Sequence, residues 1–512
     1  MNKYGVSQMN KYDVIVVGAG PAGLAAAEQI SISGCSVMVV DSNASAGGQL
    51  IKQIHKFFGS ASVCAGVRGT SLSRILYDSN LRKGSMFTFN TSVYAIYPDG
   101  DSGYNVFAAD GQKTLCFKGS AIVLALGASE NALAFPGWTK PGVITAGAAQ
   151  TLANLFRIRF SQRVLMVGAG NVGLIVSYQL MQAGIEVAAV IEALPKIGGY
   201  AVHASKIRRA GVPIYTSCTI LEALGKEQVE GAIIAELDNN FNPILGSEKR
   251  LNVDTICLAV GLSPLVKLVA MVGCKLVKNS NKNEIIPWYD ENMMTSKKGI
   301  FVAGDLAGVE EASIAMEEGT LVGMAVTNYL GISVTNVPER KQLSLEQLRK
   351  KGKNELPSYN VDAYRKYDKP KAVIECFEGI PCNPCEKCCP LGAITIGDDI
   401  TNLPKLDLAK CTGCGRCVVS CPGMACFLIN MNYSNTRAEI AIPYEYLPLP
   451  KQDEIVRAVS RSGEVVCVAQ VVRIKKLVDC DNTMLLYISV PKEYAAQVRG
   501  IERKGKNFNE NV

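Results

Sequence analysis

Four closely spaced cysteines in the C-terminal third of the chain carry the strongest chemical signal in the sequence. The pattern C-x2-C-x2-C-x3-C-P is formed by Cys411, Cys414, Cys417, Cys421 and Pro422. Three thiolates at this spacing can surround one [4Fe-4S] cluster, whereas the fourth, set apart by three residues, ligates the other cluster in two-cluster proteins. The run therefore predicts an iron–sulfur site and a second cysteine run close by.

A second, incomplete run of the same type lies upstream. It contains Cys382, Cys385 and Cys389, followed by Pro390. When the Cys-Pro ends of the two runs are aligned, Gly379 takes the place of the first cysteine. The upstream run therefore lacks one ligand, and the two runs together form an internal repeat of ferredoxin type.

The crossing rule for two-cluster proteins divides the cysteines into two predicted ligand sets. The first cluster site consists of Cys389, Cys411, Cys414 and Cys417. The second cluster site consists of Cys382, Cys385, Cys421 and a fourth ligand, for which Cys376 is preferred and Cys388 is the alternative. We prefer Cys376 because it leaves the register of the upstream run intact. A zinc site is compatible with the number of cysteines, but two interlocked Cys-Pro runs fit iron–sulfur clusters better.

Composition narrows the class of protein. The 512 residues are 48% hydrophobic and 19% charged and include 47 glycines, which is typical of a compact α/β protein with three or four domains. Ten of the 18 cysteines fall between residues 376 and 426, which favours metal ligation in a reducing cytoplasm over disulfides. We expect no membrane helix, because no apolar run reaches about 18 residues, and no signal peptide, because the N-terminal residues contain no apolar core. The net charge of +7 is mild and no basic tract is interleaved with aromatic residues, so nucleic-acid binding is not indicated.

The N-terminal segment has the pattern of a dinucleotide-binding βαβ unit. An apolar strand at residues 14–17 precedes a glycine-rich turn, a helix of small residues and a second strand that ends at Asp41. The glycines permit a tight turn and the close approach of a pyrophosphate, and the acid can accept a hydrogen bond from an adenosine ribose hydroxyl. The predicted binding residues are Gly18, Gly20, Pro21, Ala22, Gly23 and Asp41.

The same pattern recurs between residues 163 and 192. Its predicted binding residues are Gly168, Gly170, Asn171, Gly173 and Glu192. An acid at the end of the second strand favours the free 2′-hydroxyl of NADH over the phosphate of NADPH. Nothing in the sequence positions a nicotinamide ring, so binding of NAD(H), of ADP or ATP, or of no nucleotide all remain open for this second unit.

A downstream strand ends in Gly304-Asp305, and here the chain resembles the flavoproteins of the thioredoxin-reductase and glutathione-reductase group. The resemblance implies FAD in the first domain, with Asp305 bound to the flavin ribityl chain or pyrophosphate. It also implies flavin contacts from Gly48, Gln49, Leu50 and Gly127. No two cysteines lie a few residues apart before residue 376, so disulfide reduction is not expected and no catalytic residue is assigned.

The segment between residues 125 and 152 resembles a narrower family. This family comprises the larger electron-transfer subunits of hydrogen cyanide synthase, opine oxidase and the dye-linked L-proline dehydrogenases, and the resemblance covers roughly residues 11 to 330. It implies that a smaller flavoprotein subunit oxidises the C–N bond of the substrate and that this chain receives the electrons. The present chain departs from the family by its pair of cysteine runs, so the acceptor stays open between a ferredoxin and a quinone.

These patterns together predict an α/β protein with two Rossmann-like dinucleotide-binding domains, one inserted in the other, a ferredoxin-like iron–sulfur domain and a small C-terminal β domain. The predicted boundaries are 1–150 with 263–335 for the FAD domain, 151–262 for the second dinucleotide domain, 336–370 for a linker, 371–430 for the iron–sulfur domain and 431–512 for the β domain. Strands are expected at residues 437–442, 464–474 and 484–490 because these stretches are rich in β-branched residues.

Three functions are compatible with this organisation. The first is an FAD and [4Fe-4S] electron-transfer subunit of a hetero-oligomeric amino- or imino-acid dehydrogenase. The second is a self-sufficient NAD(P)H:acceptor oxidoreductase, in which hydride passes from the second dinucleotide domain to FAD. The third is a scaffold subunit whose second domain holds ADP or ATP. We prefer the first, because the chain has predicted redox sites and no residues assigned to substrate chemistry.

Overall fold

The computed structural model describes residues 9–100, 103–279, 282–332, 337–352, 354, 367, 369–478 and 480–503. The chain divides into two compact units, residues 1–130 with 261–350 and residues 131–260 with 351–512. Both units contain a βαβ arrangement, and the predicted α/β class is confirmed. Among the described residues, no helix combines the length and the apolar character needed to cross a membrane.

The first unit is built around a seven-stranded sheet. From one edge its strands are Met86–Thr88, Val37–Val40, Met9–Val17, Thr114–Leu124, Tyr104–Ala109 and Ser92–Pro98, and Ile300–Val302 pairs with the end of Thr114–Leu124. The central strands are parallel, and Val37–Val40 is buried along its whole length, as expected for a strand covered on both faces. The other strands described in this unit form two hairpins outside the sheet. These are Ala128–Glu130 with Leu262–Pro264, and Leu276–Asn279 with Glu284–Pro287.

Helices of the first unit pack on this sheet or on one another. They are Pro21–Ile32, Gly69–Arg82, Lys267–Met271, Ala312–Tyr329 and Val337–Arg349, with 3-10 turns at Gly48–Lys52, Ala61–Val63 and Gly304–Leu306. Pro21–Ile32 and Ala312–Tyr329 approach each other through their backbones, because a Cβ atom on Gly319 would lie 2.1 Å from the Ala22 carbonyl oxygen. This contact brings the first glycine-rich turn close to the segment that precedes Ala312–Tyr329.

The second unit begins with a five-stranded parallel sheet. Its strands, from one edge, are Ile214–Tyr215, Glu186–Ile191, Arg163–Val167, Thr255–Leu258 and Val143–Thr145. The helices around it are Ala146–Gln150, Asn171–Gln182 and Ala201–Arg209, with a π-helical turn at Thr151–Leu155. A three-stranded antiparallel sheet is formed by Cys218–Leu224, Gly231–Glu236 and Lys249–Leu251.

The rest of the second unit contains a seven-stranded antiparallel sheet. Its strands, in spatial order, are Lys371–Ile374, Cys426–Asn430, Arg437–Tyr444, Met484–Pro491, Val465–Lys475, Ile455–Ser460 and Val498–Ile501. In sequence, the cysteine runs lie between the first two of these strands. This segment contains short helices at Pro384–Lys387 and Arg416–Ser420 and a small hairpin, Ile394–Thr395 with Lys405–Leu406. The segments that we assigned to an iron–sulfur domain and to a separate β domain thus share one sheet.

The predicted linker, residues 336–370, is only partly described. Its helix, Val337–Arg349, belongs to the first unit. Residues 336, 353, 355–366 and 368 lie outside the described residues. The boundaries of the compact units therefore differ from the predicted domain boundaries by up to about 20 residues.

Candidate cofactor sites

The first glycine-rich turn leaves open space in front of a helix N-terminus. Gly18 has a φ of +105°, and a Cβ atom there would lie 2.2 Å from the Ala125 carbonyl oxygen. At Gly23 it would lie 1.8 Å from the Gly18 carbonyl oxygen, whereas at Gly20 it would meet nothing within 4 Å. The first turn of Pro21–Ile32 has no capping side chain and no acidic residue. Its N–H groups therefore suit an anion such as a pyrophosphate.

Asp41 lies at the end of strand Val37–Val40, beside this turn. Its buried carboxylate accepts hydrogen bonds from the backbone N–H of Ala19 at 2.6 Å and of Asn43 at 2.7 Å. The Gly47 N–H donates to the Ala19 carbonyl at 2.8 Å, which holds Gly48, Gln49 and Leu50 against the same turn. A Cβ atom on Gly48 would lie 2.8 Å from the Gly20 Cα atom. The structure thus brings together residues that the sequence separates by about 30 positions.

Gly304 and Asp305 follow strand Ile300–Val302 at the same end of the sheet. A Cβ atom on Gly304 would lie 2.8 Å from the Ala22 side chain, so this turn lies next to the first glycine-rich turn. Burial raises the pKa of Asp305 to about 6, and its carboxylate accepts a long hydrogen bond of 3.5 Å from the Glu310 N–H. Gly127 follows Thr114–Leu124 with a φ of +75° and with open space at its Cβ position. The first unit therefore offers the space and the donors that a dinucleotide of FAD type requires.

Glu318 and Arg349 support this site, and sequence reasoning missed both. Glu318 is 2% exposed and accepts a hydrogen bond from the Gly304 N–H at 2.8 Å. Arg349 forms ion pairs with Glu318 and with Glu310, the latter with N–O distances of 2.7 and 2.8 Å. Burial raises the pKa of Glu318 to about 7, although Arg349 lowers it. The sequence contains no local signal for this network, because its partners lie on different helices.

The second glycine-rich turn repeats the first turn in detail. Gly168 has a φ of +106°, and a Cβ atom there would lie 2.3 Å from the Ala259 carbonyl oxygen. At Gly173 it would lie 2.0 Å from the Gly168 carbonyl oxygen, and at Gly170 it would meet nothing within 4 Å. The Glu192 carboxylate accepts from the Ala169 N–H at 2.9 Å, as Asp41 accepts from Ala19. This turn also has the space for a nucleotide phosphate.

Asn171, also predicted to bind the second nucleotide, has a structural partner. Its side-chain oxygen accepts a hydrogen bond from the Tyr200 N–H at 2.9 Å. The neighbouring Gly199 N–H donates to the Ala169 carbonyl at 3.0 Å. These two bonds attach the segment before helix Ala201–Arg209 to the second glycine-rich turn.

The four cysteines predicted for the first cluster site line one cavity. Its empty volume, including open solvent, is about 370 Å³, and its walls include Cys389, Cys411, Cys414 and Cys417. The Cys411 sulfur accepts a hydrogen bond from the Ala372 N–H at 3.4 Å, and the Cys389 sulfur accepts one from the Ala393 N–H at 3.2 Å. Such N–H···S bonds are among the interactions that set cluster potentials. The donor set therefore fits a cluster ligated by both runs.

Cysteines of the second cluster site are also close to one another. Burial raises the pKa of Cys376 to about 12, and the nearby Cys421 contributes. Burial likewise raises the pKa of Cys385, with contributions from Cys421 and Cys376. The Cys388 thiol also lies near Cys385 and Cys421, and it donates to the Cys385 carbonyl at 3.4 Å as the Cys376 thiol donates to the Glu378 carbonyl at 3.7 Å. Both candidates for the fourth ligand therefore lie close to this site, and the preference for Cys376 stays a prediction.

Two further observations concern the cysteine module. Cys426, to which we assigned no role, is buried, and its thiol hydrogen-bonds to both Cys417 and Cys421. The hydrogen bond between Cys426 and Cys421 lowers the pKa of Cys421 to about 6. Among the described residues, no three His, Cys, Asp or Glu side chains are placed to hold a single metal ion. The thiolates around a cubane bind different iron atoms and lie farther apart than the ligands of one zinc ion. The arrangement therefore gives no support to the zinc alternative.

Comparison with known proteins relates the nucleotide sites to a family. Residues 12–319 match the family described as pyridine nucleotide-disulphide oxidoreductase. An opine oxidase subunit of Agrobacterium tumefaciens (strain Ach5) is 29% identical over 335 residues, which cover 61% of this chain and 65% of that protein. The alpha subunit of sarcosine oxidase from Corynebacterium sp. (strain P-1) is 27% identical over 339 residues, which cover 64% of this chain and 34% of that protein. The chain thus spans less than two thirds of the length of either relative.

A solved structure shares the fold of the same region. L-proline dehydrogenase from P. horikoshii matches 67% of this chain and 60% of its own chain, with a TM-score of 0.52 and 20% sequence identity. At this identity the likeness concerns the fold alone. The cysteine runs lie outside the family match, which nevertheless covers more than half of the chain. The chain therefore belongs to the pyridine nucleotide-disulphide oxidoreductase family, and its class of activity is that of an oxidoreductase.

Proposed function

We propose that this chain is the FAD- and iron–sulfur-containing electron-transfer subunit of a multi-subunit amino- or imino-acid dehydrogenase of proline, sarcosine or opine type. One observation carries the proposal: a dinucleotide site of FAD type and a cavity lined by four cysteines from two runs occur in one chain. A flavin accepts two electrons at once and releases them singly, and iron–sulfur clusters carry single electrons. The combination suits a relay and not substrate chemistry.

This chain's own residues would hold and orient the cofactors. The turn from Gly18 to Gly23 would bind the pyrophosphate of FAD, Asp41 the adenosine ribose and Asp305 the ribityl side. Both cysteine runs would supply the cluster ligands as assigned above. The protein would thereby keep water and competing acceptors away from the carriers, which is the usual contribution of a protein to cofactor chemistry.

The relatives support a partner protein in the same complex. Two of them are named as subunits, of an opine oxidase and of a sarcosine oxidase. We infer that a smaller amino-acid-oxidising flavoprotein delivers electrons to this chain, and that a ferredoxin or a quinone receives them. A reducing cytoplasm would suit the thiol ligands.

The test uses the purified full chain without partners. We expect about one FAD and about eight irons per chain on the two-cluster pattern. Dithionite-reduced chain should pass electrons to a dye, whereas L-proline, sarcosine or an opine should cause no dye reduction. Turnover of any of these substrates by the chain alone, at rates typical of a complete dehydrogenase, would contradict the proposal.

A second candidate is a self-sufficient NAD(P)H:acceptor oxidoreductase. It is favoured by the second glycine-rich turn, where Glu192 is held by the Ala169 N–H as Asp41 is held by Ala19. Stopped-flow mixing with NADH discriminates, since fast bleaching of the flavin absorbance supports this candidate. If the flavin is not reduced and denaturation releases ADP or ATP, the second site holds a nucleotide without redox chemistry.

A further inference from the structure

A cluster of cations contacts the segments next to the second cluster site. Its members are Lys206, Arg209, Arg461 and Arg499, of which Lys206 is 5%, Arg209 9% and Arg499 1% exposed, whereas Arg461 is partly buried. The carboxylates in contact with this region are Glu375, which pairs with Arg461 and Arg499, and Glu378. Among the described residues, cations thus outnumber carboxylates here, and burying such an excess is unfavourable unless an anion compensates it.

Two of the cations come from helix Ala201–Arg209 and reach the Cys421-Pro422 turn. The Lys206 Nζ donates to the Pro422 carbonyl at 3.0 Å, and the Arg209 Nη2 donates to the Met424 carbonyl at 3.2 Å. Pro422 follows Cys421 directly, so the Lys206 ammonium lies beside a predicted ligand of the second cluster. Gly423 permits this approach, because a Cβ atom there would lie only 3.0 Å from the Val202 side chain.

The other two cations enclose Glu375, which precedes Cys376 in the chain. The Arg461 Nη1 donates to the Glu375 carbonyl at 2.7 Å, and the Arg499 Nε donates to the Glu375 carboxylate. The Arg499 Nη2 is buried and has no hydrogen-bond partner among the described residues. The Nε and Nη1 atoms of this guanidinium are paired, so one buried nitrogen lacks an acceptor, which fits a region with more cations than carboxylates.

The first cluster site has a different electrostatic setting. The Lys371 Nζ donates to the carbonyls of Leu408 and Cys411 at 2.7 and 2.8 Å, and Lys410 and Arg416 also line the cavity. Lys371 is only partly buried, and Cys414 is exposed to solvent. Water therefore screens this site more than it screens the second site.

We propose that Lys206, supported by Arg209, raises the reduction potential of the cluster at the second cluster site by compensating the negative charge that reduction adds. The inference rests on the proposed function, since it requires that a cluster is bound there. Four thiolates make a [4Fe-4S] centre anionic, and one more electron makes it more anionic. A buried cation therefore stabilises the reduced form more than the oxidised form, and low solvent access keeps the effect large. Lys206 acts through this charge and is not a catalytic residue.

The test is an EPR-monitored redox titration of the full chain with Lys206→Gln, Lys206→Arg and Lys371→Gln. Gln keeps a donor for the Pro422 carbonyl but removes the charge, whereas Arg keeps the charge. We expect Lys206→Gln to change the reduced-to-oxidised ratio of one centre about tenfold at a fixed potential, a shift of about 59 mV to lower potential for one electron. Lys206→Arg should leave that centre close to wild type, and Lys371→Gln should affect only the other centre. Cys414→Ser identifies which signal belongs to the first cluster site.

Iron content separates the failure of this inference from that of the proposed function. If the wild-type chain contains no iron–sulfur clusters, the proposed function fails and this inference fails with it. If both clusters are present and Lys206→Gln leaves both potentials unchanged, this inference alone is overturned. It is also overturned if Lys206→Arg shifts the potential, or loses the cluster, as much as Lys206→Gln, since packing would then be the cause. Arg461→Gln, at the more accessible edge of the cation cluster, should lower the same potential and provides a second test.

Discussion

The two glycine-rich turns are nearly identical in their backbones but differ in the elements that come after them. In the first unit, Gly47 bonds to the turn and a 3-10 turn at Gly48–Lys52 follows. In the second unit, Gly199 makes the corresponding bond, but the next element is helix Ala201–Arg209, whose first N–H groups donate to Glu378 at 2.9 and 3.1 Å. Glu378 belongs to the cysteine-rich segment. Within the second unit, the helix that follows the nucleotide turn is therefore attached to the cysteine module.

This difference shows that a repeated motif does not determine a repeated role. The steric requirements of the turn depend on a few glycines close in sequence, so both copies keep them. The neighbours of each copy come from distant parts of the chain and are free to differ. Variants of matched residues in the two turns can measure how far the roles have diverged.

The largest effect is expected from Gly18→Ala. The added Cβ atom would lie 2.2 Å from the Ala125 carbonyl oxygen at a residue with a φ of +105°, so the turn cannot form without displacement. We expect FAD content to fall to about a tenth of wild type or less, measured as flavin released on denaturation. Gly34→Ala is the control for backbone strain alone, because Gly34 also has a positive φ but a Cβ atom there would meet nothing within 4 Å.

Gly168→Ala is the matched variant in the second turn. It creates an equivalent clash, with the Ala259 carbonyl oxygen at 2.3 Å, but should leave FAD bound. Equal loss of FAD from Gly168→Ala and Gly18→Ala would show that the two turns do not bind separate nucleotides.

A second difference is the buried acid behind the first turn, which predicts a pH dependence. Burial raises the pKa of Glu318 to about 7 from its ordinary value of 4.5, so the folded chain binds this proton more tightly than the unfolded chain. The stability that this proton binding provides is present at low pH and is lost as the pH rises from about 4.5 to 7. We expect the difference in unfolding free energy between wild type and Glu318→Gln to change by about 1–3 kcal/mol between pH 5 and pH 7.5. Urea denaturation at the two pH values measures it, and a difference that is independent of pH would contradict the assignment.

A third comparison uses the acids associated with the two turns. Asp41→Ala removes a charged acceptor from the Ala19 N–H and should weaken FAD binding by about 1.5–3 kcal/mol, or roughly tenfold to a hundredfold. Glu192→Ala should leave the FAD affinity unchanged and weaken the nucleotide at the second turn by a similar factor. Flavin fluorescence titration and nucleotide calorimetry report the two affinities. A loss of FAD from Glu192→Ala would remove the proposed distinction between the turns.

The smallest effect is expected from Glu378→Gln, which tests the attachment of the second turn to the cysteine module. The neutral amide is a weaker acceptor for the Ala201 and Val202 N–H groups and loses the favourable interaction with the helix dipole. We expect the free energy of unfolding to fall by about 0.5–1 kcal/mol. The exposed Glu227→Gln is the control and should change stability by less than about 0.5 kcal/mol. No change in stability for Glu378→Gln would mean that the cap is not a stabilising link.

The sequence by itself was sufficient to locate both glycine-rich turns, the acids Asp41 and Glu192 and the two cysteine runs. These features depend on residues close in sequence, whose spacing is imposed by a tight turn, a strand–helix unit or the size of a cluster. The predicted strands near residues 437, 464 and 484 correspond to Arg437–Tyr444, Val465–Lys475 and Met484–Pro491 for a similar reason, because β-branched content is a local property. The binding roles of these residues remain predictions.

Only the tertiary structure decided which distant segments meet. It placed Lys371–Ile374 and Cys426–Asn430 in one sheet with the C-terminal strands, where the cysteine runs and the β-branched stretches had indicated two domains. It also paired Arg349 with Glu318 and surrounded the second cluster site with Lys206, Arg209, Arg461 and Arg499. A buried charge has no periodicity that marks it in a sequence, since its partners are selected by packing between elements up to several hundred residues apart.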